Sequence, residues 1–224
     1  MAIISPDSLA ETIDALNDAF FYRRHLSKAE RERVAKWIAD RQGKPGAYAD
    51  MFAPTKLDYE RGIVLFTGER LNTQAGTGHI LGEESCRALI LLDAHATGVR
   101  EALKRASEGM IGRLRESQPA PGWYCCGRCT SSYWRHLAVG GLENCESELE
   151  SGMKVLKRHR DGAGRWNRFP FYYTLLALSE IDIESATDEM KYAAAGLERV
   201  LRRTPKNKID RRRVDLAERV LEKC

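Results

Sequence analysis

The chain has 224 residues, with 36 Lys and Arg against 32 Asp and Glu and a formal net charge of +4. Apolar residues make up 43% and charged residues 30%, which excludes a disordered chain and supplies enough apolar surface for a core without cross-links. No apolar run approaches the roughly 18 residues that a membrane span needs, and the start Met1-Ala2-Ile3-Ile4-Ser5 has no basic and apolar leader pattern. The expectation is a soluble, cytoplasmic protein with no membrane span.

Helix signals dominate in chain order. Ser8-x-x-Glu11 is a capping box that predicts a helix to about Arg24. Ser27-x-x-Glu30 is a second, opening a helix that stops near Gly43. Residues 43–82 read as a long loop, broken by Pro45, Pro54, Gly62, Gly68, Gly76, Gly78 and Gly82. Only Ile63–Thr67 is strand-like. Val99, Leu103, Ala106, Met110 and Leu114 recur at helical spacing, and Leu149, Met153 and Leu156 do so again. Phe171 to Ile181 is almost wholly apolar and reads as a buried helix. Ser185-x-x-Asp188 predicts another helix start, with Met190, Ala194, Leu197 and Leu201 inward. A last helix carries Ile209, Leu216 and Val220. The fold class is all-α, taken as one domain over 1–224, with hairpin repeats over 28–181 and a basic C-terminal helix over 196–224.

Three helix ends share one spacing: Ile38, Gln42, Gly46, Tyr48; Leu114, Gln118, Gly122, Tyr124; and Leu156, Arg160, Gly164, Trp166. Glycine ends a helix by accepting a positive φ, and the aromatic residue two positions on folds back over the helix pair. Each copy predicts an α-hairpin, and such hairpins bury their apolar faces by stacking. With Arg33 and Trp37 in front of the first copy, these residues resemble the "QW" repeats of terpenoid cyclases and protein prenyltransferases. That resemblance implies an array of α-hairpins forming a partial α/α toroid around an aromatic cavity. The acid motifs of that superfamily, Asp-x-Asp-Asp and Asp-Asp-x-x-Asp, are absent, so the resemblance concerns the fold and not prenyl chemistry.

Three constellations carry candidate chemistry. Gly122-Trp123-Tyr124-Cys125-Cys126-Gly127-Arg128-Cys129 holds a Cys-x2-Cys chelating pair, and His136 and Cys145 complete a candidate zinc set of Cys126, Cys129, His136 and Cys145. The same pair at a helix start suits redox or disulfide chemistry, since a helix N-terminus lowers a thiol pKa; inert packing is the third reading. The glycine-rich stretch supplies Glu69, His79, Glu83 and Glu84 as candidate catalytic acids and bases, with Arg70 beside them. In the bland reading, Glu83 and Glu84 simply favour a helix N-terminus. Trp123, Tyr124, Trp134 and Trp166 are candidate ligand-binding aromatics, or core.

These constellations define three readings. The first is an uncharacterised binding protein or enzyme whose aromatic cavity takes an apolar or carbohydrate-like small molecule. The second is a zinc or thiol-redox module at Cys125–Cys145. The third is an interaction scaffold using the basic run Arg202, Arg203, Lys206, Lys208, Arg211, Arg212 and Arg213, for which nucleic acid is the less favoured partner because no known motif accompanies it. Residues 196–224 carry ten Lys or Arg and five Asp or Glu, so the basic balance of the chain resides there.

Overall fold

Ser8 accepts a hydrogen bond from the backbone N–H of Glu11 and so starts α1 (Leu9–Phe21). Ser27 and Glu30 close a reciprocal capping box at the start of α2 (Lys28–Ala39). The computed structural model describes residues 3–224, and among them the fold is all-α: ten α-helices, one 3₁₀ turn and one two-stranded hairpin.

The stretch 43–82 is more ordered than its glycines and prolines suggest. It holds a 3₁₀ turn at Tyr48–Asp50, α3 (Lys56–Arg61), and the antiparallel strands β1 (Ile63–Val64) and β2 (Arg70–Leu71). Thr55-x-x-Asp58 is a capping box that starts α3. Thr73 caps α4 (Gln74–Leu92), so this helix begins five residues before His79. The remaining helices are α5 (Thr97–Ser117), α6 (Gly127–Ala138), α7 (Cys145–Arg158), α8 (Phe171–Glu180), α9 (Glu184–Leu201) and α10 (Lys208–Leu221). Two sequence expectations are corrected here. Helix α9 starts at Glu184 without a side-chain cap, because the Ser185 hydroxyl donates to Glu150 instead, at 2.9 Å. The basic segment 196–224 is not one helix: it contains the end of α9, a break after Leu201, and α10.

The chain separates into two compact units. The first comprises residues up to Leu65 and Arg70–Gln118; the second comprises Phe66–Glu69 and Pro119–Cys224. In the first, α1 packs on α4, α2 packs on α4 and α5, and α4 packs on α5. Helix α4 is buried on nearly all sides, from Ile80 to Leu89, which makes it the inner helix. Helices α2 and α5 bury one stripe each, such as Val99, Ala102, Ala106 and Met110 of α5. In the second unit, α8 packs on α6, α9 and α10, while α7 packs on α6 and α9. Here α6 and α8 are the enclosed helices and α7 and α9 the amphipathic ones.

The repeated glycines do what their spacing predicts. Gly46, Gly122 and Gly164 all have positive φ, at 90°, 73° and 83°. In the first copy Gln42 donates to Asp50 O at 2.8 Å and accepts from Arg105 Nε of α5 at 2.7 Å. In the third, Arg160 donates to both carboxylate oxygens of Glu189 on α9, and Trp166 Nε1 donates to the same carboxylate at 2.8 Å. The long polar residue thus ties its loop to a later amphipathic helix, α5 in the first copy and α9 in the third. The second copy differs: Gln118 itself is the left-handed helix end, with φ 41°.

In the second unit, residues 66–69 are held by α8 and α10. Arg212, 3% exposed, donates to Phe66 O at 3.0 Å, and Arg213 donates to Thr67 O at 2.8 Å. A side chain at Gly68 would strike Ile209. Two members of the basic run are therefore spent on backbone carbonyls rather than forming a free phosphate-tracking face.

Candidate thiolate site

Helix α6 of the second unit is fixed before its cysteines are considered. Trp134 is fully buried, stacks on Phe169 at 5.4 Å and donates from Nε1 to Gly122 O at 2.8 Å. The missing side chain of Gly152 lets α7 close onto the Trp134 ring. Ser131 bonds Thr174 of α8 at 3.0 Å. At the helix start, Tyr124 N donates to Thr130 Oγ1 at 3.1 Å, which folds the preceding turn back onto the first helical turn.

That turn carries Cys125, Cys126 and Cys129, all as free thiols. Cys126 is the N-cap residue, with extended backbone at φ −150° and ψ 168°. Cys125 and Cys126 are exposed and Cys129 is buried one turn into the helix. Gly127 sits beneath the Arg168–Phe169 peptide, and a Cβ there would collide with Arg168 O. Arg168 meets this contact with an uncommon positive φ of 69°.

The three thiols shift one another's acidity. The Cys125 and Cys129 S–H groups, followed by the backbone N–H groups of Cys129 and Arg128, draw the Cys126 thiol far below the ordinary thiol range. Cys125 is pushed up to about 11, because its S–H is held by Cys126. Cys129 is pushed up strongly by its bonds to Cys125 and Cys126, and then by burial. The Sγ atoms of Cys125 and Cys129 lie within 4.8 Å of each other. Around zinc, with Zn–S of about 2.3 Å, tetrahedral sulfur ligands sit roughly 3.8 Å apart, so a small contraction suffices.

The expected ligands His136 and Cys145 are not brought to this turn. His136 is fully buried seven residues along the same helix from Cys129, an axial rise of about 10 Å. Its ring packs over Gly141, where a side chain would overlap it. Cys145 starts α7 and donates its S–H to Leu142 O. Among the described residues, neither belongs to a metal-sized group of His, Cys, Asp and Glu; Cys125 and Cys129 do, and Cys126, between them in sequence, lies outside that group. The third sulfur is Cys125, whose adjacency to Cys126 was the available signal. Arg168 carried no sequence signal, since only the fold brings its peptide onto Gly127.

The candidate acids and bases fall in both units. Glu69 belongs to the second unit, where it accepts from Thr67 Oγ1 and from Tyr173 N. His79 and Glu83 share a face of α4 in the first unit, and the half-buried His79 ring lies 3.6 Å from that of Tyr48. Glu83 is fully buried; burial first, and then the Glu83 charge, push the Cys86 thiol well up. Glu84 accepts from Asn17 Nδ2 at 3.0 Å and faces Arg87, which in turn donates to Asn17 at 2.9 Å. That triad joins α1 to α4, so Glu84 ties two helices together. Arg70 is exposed in β2, opposite Val64.

The aromatic candidates pack against the chain itself. Trp123 lies between His159 and Phe169, and Tyr124 lies 5.9 Å from Tyr133. Trp166, 4% exposed, contacts Phe171 and Tyr192. Both buried indole N–H groups, of Trp134 and Trp166, bond to protein acceptors.

Compared with known proteins, the chain matches no family model, no curated protein and no solved structure. No helix among the described residues is long and apolar enough to cross a membrane.

Proposed function

We propose that this protein carries a thiolate metal centre of the zinc type at Cys125, Cys126 and Cys129. One observation carries the reading: Cys125 and Cys129 hold their sulfur atoms within 4.8 Å at the start of α6, and Cys126 stands between them in sequence at the N-cap. Deprotonated sulfur is the form that ligates zinc, and three such donors supply most of a tetrahedral shell. The proposed set keeps Cys126 and Cys129 and replaces His136 and Cys145 with Cys125. A cytoplasmic location, which we retain as part of the proposal, would keep these thiols reduced and available. Metal analysis of protein purified without added metal tests it; about one equivalent is expected, and less than about 0.2 equivalents rejects it.

A second reading, thiol–disulfide exchange, has its own support. Cys126 is exposed at an N-cap while Cys129 is buried one turn on, the placement of an attacking and a resolving thiol. It takes over if the purified protein is metal-free and its Cys126–Cys129 disulfide forms and breaks reversibly.

The hairpins extend the architectural proposal. Enclosed helices alternate with amphipathic ones, and each loop glycine has a positive φ, which supports the partial α/α toroid resembling cyclases and prenyltransferases. The small-molecule cavity has weaker support, because its aromatic residues already contact one another.

A further inference from the structure

Two exposed arginines are carried by the thiol turn and by the segment packed on it. Arg128 lies between Cys126 and Cys129 and is exposed; Arg168, also exposed, is rooted on the peptide that covers Gly127. Neither guanidinium forms an ion pair with any described residue. Several charged groups of the adjoining elements are engaged elsewhere. Glu148 of α7 accepts from Gly122 N and Tyr133 Oη. Asp161 accepts from Ala163 N, Arg165 N and Tyr192 Oη. Arg160 is paired with Glu189, Arg135 with Glu180, and Arg165 lies over Phe171. Two exposed cations without an ion-pair partner among the described residues are therefore rooted on the two segments that form this turn, which also carries two exposed thiols.

We propose that this turn is discharged by an anionic disulfide, a small disulfide bearing carboxylates, with Arg128 and Arg168 as the groups that select it. The proposal rests on the thiolate centre described above. In the first step the Cys126 sulfur attacks one sulfur of the disulfide. A Cys126–S bond forms, the disulfide S–S bond breaks, and the leaving thiolate carries off the electron pair. In the second, Cys129 or Cys125 attacks the Cys126 sulfur, closes an internal disulfide and releases the second thiol. Two protein thiols are oxidised, one disulfide is reduced to two thiols, and the protons of the protein thiols pass to the leaving groups. An ion held by these sulfurs loses its ligands in the same event.

The test compares three disulfides on the reduced full-length protein: oxidised glutathione as the anion, hydroxyethyl disulfide as the neutral compound and cystamine as the cation. Mass spectrometry follows adducts at Cys125 and Cys126, each rate is divided by that of the urea-unfolded protein, and zinc release is recorded alongside. At low salt the normalised rate for oxidised glutathione should exceed that for cystamine about tenfold or more, and high salt should erase the difference. R128E combined with R168E should reverse the preference; R128Q with R168Q should abolish it if the charge reversal does not fold. Equal normalised rates, or a preference unaffected by salt, overturn the inference while leaving the metal content to decide the centre. A charge preference in protein that binds no zinc overturns the metal centre and leaves this inference standing on the exchange reading.

Discussion

Asp58 illustrates how much one buried carboxylate does here. At 2% exposure it accepts from Ser8 Oγ, Leu9 N and Ala10 N at the start of α1, and from Thr55 N at the start of α3. Replacing it leaves four donors without their acceptor, so Asp58→Ala should lower stability by about 3 kcal/mol or more in urea unfolding. A loss below about 1 kcal/mol would show that water substitutes for the carboxylate. The thiols make a second prediction at this scale. Cys126 is held below the ordinary thiol range by the S–H groups of its neighbours, whereas Cys125 is pushed up to about 11. A lowered pKa keeps the thiolate as pH falls, and a raised one keeps the thiol as pH rises. In metal-free reduced protein at pH 6, iodoacetamide should therefore label Cys126 and spare Cys125 and Cys129. Preferential labelling of Cys125 would contradict this assignment.

Elements show what local sequence encodes and what it does not. Ser8 and Ser27 start their helices as the capping boxes predict, because such a cap needs only residues three apart. Ser185 has the same spacing, but its hydroxyl goes to Glu150 on α7, a partner that only the fold supplies. The stretch 43–82 was hardest to read: Thr55 and Thr73 cap helices within a background of turn residues. At the start of α6, Gly127 has no room for a Cβ beneath Arg168 O. Gly127→Ala should push the thiol turn out and weaken zinc binding about tenfold or more, with little change in helix content. Gly98→Ala, in open space on α5, should be neutral or slightly stabilising. Unchanged zinc affinity in Gly127→Ala would mean the turn adapts without cost.

Across the molecule, the all-α class and the left-handed turns at Gly46, Gly122 and Gly164 were legible because both arise from spacings within a helix and its following loop. The division into two units was not, since the break after Gln118 falls inside one of the repeats. The candidate site was half legible for the same reason. Cys126 and Cys129 lie one helical turn apart, a relation sequence conveys directly, while His136 and Cys145 required a judgement of distance that only the helix axis and the α6–α7 connection settle. The proposed metal centre requires Cys125, Cys126 and Cys129 to act together. The most direct measurement is the zinc content of the protein purified without added metal, set beside Cys125→Ser, Cys126→Ser, Cys129→Ser and the double variant His136→Ala, Cys145→Ser. About one equivalent is expected in the parent and in the double variant, and loss in each of the three single variants. A metal-free parent, or retention in all three single variants with loss in the double variant, would contradict it.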